Sequence, residues 1–140
     1  MLNRYSERLC PCQVEMGGVM SARRSILIVD DDDAICETLS DVLEALGYRT
    51  VIASDGVEAV ACIQKEDFAL VLMDLRMPRM GGVQAYREIL KWRPAVKAIM
   101  MTAYATSDLV QEALRAGARE VLSKPLAMDR LLNLIATVCP

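Results

Sequence analysis

The chain has 140 residues, the length of one domain and enough to bury the core of a single doubly wound sheet without disulfide or metal staples. Its formal net charge of −3 leaves no broad basic surface, which excludes non-specific nucleic-acid binding as its main business. No apolar run is long enough to span a membrane.

Residues 1–24 show no periodicity and mix Cys, Gly, Arg and Ser, the pattern of a loosely packed or disordered tail. They lack the apolar core of a signal peptide, so the protein reads as cytoplasmic. Met20-Ser21 offers an alternative translation start. The cysteines are Cys10, Cys12, Cys36, Cys62 and Cys139, an odd number. Cys36 and Cys62 fall on apolar helix faces and read as buried free thiols. Cys10-Pro11-Cys12 has no histidine and no second Cys pair to complete a zinc site.

Order begins at Ser25. Ile26-Leu27-Ile28-Val29 reads as a buried strand ending on Asp30-Asp31-Asp32-Asp33. An amphipathic helix follows, with Ile35, Leu39, Val42, Leu43 and Leu46 on one face, capped by Asp32 or Asp33 and closed by Gly47. Arg49 to Ala53 is a second strand, and Asp55-Gly56 opens a helix to about Lys65. The apolar run from Ala69 to Met73 is a third strand, ending on Asp74. Pro78 bars a helix there, and Gly81-Gly82 turns the chain into one over about Val83 to Lys91. Val96 to Met101 is a fourth strand, ending at Thr102. A helix over Ser107 to Ala116 carries Leu109, Val110, Ala113 and Leu114. Arg119 to Ser123 is a fifth strand, ending at Lys124-Pro125, and a helix over about Met128 to Val138 closes the order.

Five strands alternate with five helices, which predicts an α/β fold with a doubly wound, five-stranded parallel sheet. The common strand order for that class is 2-1-3-4-5, the flavodoxin-like arrangement. The α/β unit takes up residues 25–139, with no stretch left for a second domain.

Parallel strands bring their carboxyl ends to one edge, where such folds bind ligands. Asp30, Asp31, Asp74, Thr102 and Lys124 therefore converge there. Three neighbouring carboxylates repel, and a divalent cation resolves the repulsion. All-oxygen ligands without His or Cys point to Mg²⁺ or Mn²⁺. The same acids argue against a nucleotide or flavin site, which needs glycine-rich amides after the first strand. The set suits a phosphoryl group on Asp74, with Lys124 neutralising charge and Thr102 donating a hydrogen bond.

These pieces, in this order, resemble the receiver domains of two-component response regulators (CheY-like). The matching segments are Ile26-Leu27-Ile28-Val29-Asp30-Asp31, Met73-Asp74-Leu75-Arg76-Met77-Pro78 with Gly81-Gly82, Met101-Thr102-Ala103, Ala116-Gly117-Ala118 and Lys124-Pro125. The resemblance covers about residues 25–139. It implies that Asp74 accepts a phosphoryl group from a histidine kinase or phosphotransfer protein. It implies that Asp31 binds Mg²⁺ directly, Asp30 mostly through water, and Arg76 through its backbone carbonyl. It also implies a cis Lys124-Pro125 peptide, and an output or homodimer surface on the last two helices and the fifth strand. The family usually carries an aromatic residue three positions before the lysine; here it is Val121. Haloacid-dehalogenase-type phosphohydrolases also form an aspartyl-phosphate, but use a second Asp two residues after the first, where this chain has Arg76. A receiver-like binding module without phosphorylation would lack some of the acids, and none is missing.

Overall fold

The buried aliphatic runs form five strands in the computed structural model, which describes residues 24–139. Apart from Arg24, the tail expected over residues 1–24, with Cys10, Cys12 and Met20-Ser21, lies outside the described residues. The strands are β1 (Ser25–Val29), β2 (Arg49–Ala53), β3 (Leu70–Asp74), β4 (Lys97–Thr102) and β5 (Glu120–Ser123). The helices between and after them are α1 (Asp33–Ala45), α2 (Gly56–Lys65), α3 (Gly82–Trp92), α4 (Ser107–Arg115) and α5 (Met128–Val138). The sheet is wholly parallel, in the order β2-β1-β3-β4-β5.

Alternation along each strand splits the core in two, because successive side chains point to opposite faces. Leu27, Val29, Val71, Met73, Ala98 and Met100 face α2, α3 and α4. Ile26, Ile28, Leu70, Leu72, Ile99 and Met101 face α1 and α5. The central strands β1 and β3 are buried on both faces, which is why they read as unbroken apolar runs. Cys36 and Cys62 are buried cysteines, as expected, and Cys139 is a third.

Element ends shift by a residue or two where local hydrogen bonds decide. The first helix ends with Leu46 as C-cap, and Gly47 follows at φ +98°, where its amide and that of Tyr48 satisfy the last helical carbonyls. On α4, only Ala113 of the apolar stripe is fully buried; Leu114 is 42% exposed. The helix covers an outer strand pair, so its stripe outruns the surface available to cover it.

Candidate functional site

Strand pairing delivers the candidate residues to one edge. Asp74 is the last residue of β3 and pairs with Met101 of β4, one step before Thr102. Thr102 pairs with Ser123 of β5, one step before Lys124. Backbone bonds lash the ends together: the Leu75 amide donates to the Met101 carbonyl at 2.8 Å, and the Lys124 amide to the Thr102 carbonyl at 2.8 Å.

The four aspartates after β1 divide their work. Asp30 is fully buried and accepts from the Asp32 amide at 3.0 Å. Asp31 is exposed. Asp32 is the N-cap of α1, accepting from the Ala34 and Ile35 amides, and Asp33 opens the helix. That settles the cap that the sequence left between Asp32 and Asp33. Carboxylate oxygens of Asp30, Asp31 and Asp74 lie within 4.8 Å of one another. Their donor set is oxygen only, the kind a hard divalent cation takes.

Lys124 Nζ enters this cluster, 2.7 Å from Asp30 Oδ2 and 3.2 Å from Asp74 Oδ2. Burial alone would lower the pKa of its ammonium. The hydrogen bond to Asp30 and the charges of Asp30 and Asp74 outweigh that and raise it above the ordinary lysine value. The Lys124-Pro125 peptide is cis. Cys36 lies just beneath, its thiol donating to the Asp30 carbonyl at 3.4 Å. Burial, then the charges of Asp30, Asp33 and Asp32, push its pKa up to about 12, so it stays a neutral thiol.

Thr102 is fully buried, and its hydroxyl oxygen accepts from the Tyr104 amide at 3.0 Å. The Arg76 amide points to Asp74 Oδ1 at 3.3 Å. The Arg76 guanidinium lies over the Tyr104 ring, 5.1 Å from its centroid, and joins the loops after β3 and β4. Gly82 explains how α3 starts so close to the site. A Cβ there would stand 2.5 Å from the Asp74 carbonyl oxygen and 2.9 Å from Leu75 Cα.

One pair beside the site escaped the sequence reading. Arg79 donates to Asp55 Oδ2 through Nε at 2.9 Å and also through Nη2. Asp55 Oδ1 caps α2 by accepting from the Glu58 amide at 2.9 Å. Burial pushes the Asp55 carboxyl up, but the helix amides and Arg79 outweigh it and hold it below the usual range. Asp55-Gly56 marked the start of the helix; nothing local marked a partner 24 residues away.

The family model for the response regulator receiver domain matches residues 26–136. The chain is 41% identical over 106 residues to the transcriptional regulatory protein ZraR of Klebsiella oxytoca, covering 76% of this chain and 24% of that one. It thus spans about a quarter of that curated relative's length. Among solved structures it is similar to a response regulator receiver domain protein (CheY-like) from Methanospirillum hungatei JF-1. That likeness has a TM-score of 0.78 at 38% identity, over 81% of this chain and 91% of the other. It is also similar to the receiver domain of the sensor histidine kinase PA1611 from Pseudomonas aeruginosa PAO1, solved with a magnesium ion coordinated in the active site cleft. There the TM-score is 0.75 at 30% identity, over 83% and 97% of the two chains. With its strand order, its acidic edge and these matches agreeing, the chain belongs to the response regulator receiver domain family.

Proposed function

We propose that this receiver takes a phosphoryl group on Asp74 from a histidine kinase or phosphotransfer protein, in a magnesium-dependent reaction. The observation that carries the reading is the convergence of three carboxylates and one ammonium at the edge of the sheet. Asp31, Asp30, Asp74 and the Arg76 carbonyl would hold the ion; Mn²⁺ has the same ligand preference. Magnesium bound there supplies positive charge to the phosphoryl oxygens and relieves repulsion among the acids.

An Asp74 carboxylate oxygen attacks phosphorus, the phosphorus–nitrogen bond of the donor's phosphohistidine breaks, and its electron pair leaves on the imidazole nitrogen. Lys124, already held beside Asp74, neutralises charge on the transferred group. Thr102 turns its hydroxyl proton toward a phosphoryl oxygen, a donor role compatible with its oxygen accepting from the Tyr104 amide. The chain catalyses its own phosphorylation and slow dephosphorylation and acts as a signalling module.

The output surface is the face formed by α4, β5 and α5, which an output domain, a separate protein or a second copy would take. It carries the exposed Leu114 and an ion pair between Glu120 and Arg130. A cytoplasmic location fits this role, and no described helix is long and apolar enough to cross a membrane.

The test is Asp31→Asn beside Asp32→Asn. The first should weaken Mg²⁺ binding and slow phosphorylation; the second should leave both near wild type, because Asn also caps helices. Unchanged Mg²⁺ affinity in Asp31→Asn would overturn the metal assignment.

A further inference from the structure

We propose that Arg79 and Asp55 are a positioning pair for the cation site, a role that rests on the magnesium reading above. Among the described residues, Arg79 is the one non-glycine with positive φ, at +70°. Side chains rarely adopt that conformation unless their surroundings hold them there. The surroundings here are Asp55. Arg79 itself is largely exposed, but the carboxylate it reaches is only 9% exposed and anchored to the first turn of α2.

The same turn grips the next residue. A Cβ on Gly56 would stand 3.0 Å from Met80 Cβ and 3.0 Å from the Met80 carbonyl oxygen. The loop from Arg76 to Gly81 is thus fixed at residues 79 and 80 from the α2 side. At its ends, the Gly82 amide donates to the Leu75 carbonyl at 2.9 Å, and the Arg76 amide to Asp74 Oδ1 at 3.3 Å. A loop of six residues held at both ends and in its middle leaves Arg76 little freedom. Arg76 is the residue whose amide orients Asp74 and whose carbonyl would meet the ion. Partners that orient ligands in this way control metal affinity without touching the metal.

The experiment is a double-mutant cycle on the full chain, read as Mg²⁺ affinity from NMR titration of the Asp31 and Asp74 backbone signals. The variants are Asp55→Asn, Arg79→Gly and the pair together. Asn keeps the helix cap, and Gly adopts positive φ without strain, so neither should prevent folding. Each single variant is expected to bind Mg²⁺ about tenfold more weakly. The double variant should be no weaker than either single one, because both remove the same contact. Affinities within about twofold of wild type, or losses that multiply in the double variant, would overturn the proposal. A wild-type chain that binds no Mg²⁺ would overturn the underlying magnesium reading as well, so the two failures are told apart.

Discussion

Lys124 and Asp30 form the tightest ion pair of the acidic edge, at 2.7 Å, shorter than the 3.2 Å from Lys124 to Asp74. The ammonium does part of what a cation would do there: it compensates a fully buried carboxylate. Removing one partner of such a pair strands the other charge. Lys124→Met should therefore cost about 3 kcal/mol of stability without magnesium. With one positive charge gone, the acids should attract a cation more strongly, so saturating Mg²⁺ should stabilise the variant more than wild type. Urea unfolding with and without Mg²⁺ checks this; equal Mg²⁺ effects in the two proteins would contradict it.

Asp55 gives a pH dependence with a definite sign. Its folded pKa lies below the unfolded value, so the folded state favours the charged form. Its contribution is full above the ordinary carboxylate pKa of about 4 and is lost as pH falls through the folded value. Asp55→Asn removes that contribution but keeps the cap. Its stability should fall less steeply than that of wild type as urea unfolding is repeated from neutral pH into acid. Parallel curves would contradict the assignment.

Gly82 and Gly81 should differ as sites for alanine. At Gly82 the new methyl would meet backbone at 2.5 Å, whereas at Gly81 the nearest atom, the Leu75 carbonyl oxygen, is 3.5 Å away. Backbone has no rotamer to give, so Gly82→Ala should cost about 1–3 kcal/mol and slow phosphorylation by shifting Asp74. Gly81→Ala should be close to neutral in thermal unfolding.

The contact of Arg76 with Tyr104 bears on how long a phosphoryl group survives. Hydrolysis needs water in line with the phosphorus–oxygen bond, and under the proposed phosphorylation of Asp74 these two bulky side chains would flank that approach. Replacing both with alanine should speed loss of phosphate from Asp74 by about tenfold. An equal or slower loss would defeat the idea. The same loop should carry the switch, since the Tyr104 amide is bound to the Thr102 hydroxyl oxygen. Val121 packs half-buried against the core and has no ring to swing. Adding beryllofluoride, a phosphoryl mimic, should shift the NMR signals of residues 103–107 more than those of β5.

How far the sequence carried this account depended on the range of the contacts. Asp74 and Asp30 were legible because an apolar run ending on an acid has few placements in a parallel sheet. The division of labour among Asp30 to Asp33 was only half legible, because two neighbouring acids can cap one helix. The Asp55–Arg79 pair was not legible: it joins two loops 24 residues apart, through an arginine whose positive φ no local signal demands. The exposure of Leu114 was hidden for a related reason. A helical stripe shows which face is apolar, and the neighbouring elements decide how much of it is covered.

The most direct test of the central claim is intact-mass analysis after incubation with acetyl phosphate and Mg²⁺. Wild type should gain the mass of one phosphoryl group, and should gain none when the metal is chelated. Asp74→Asn should gain none under either condition. Labelling of the Asp74→Asn protein to the wild-type level would contradict the assignment of Asp74 as the acceptor.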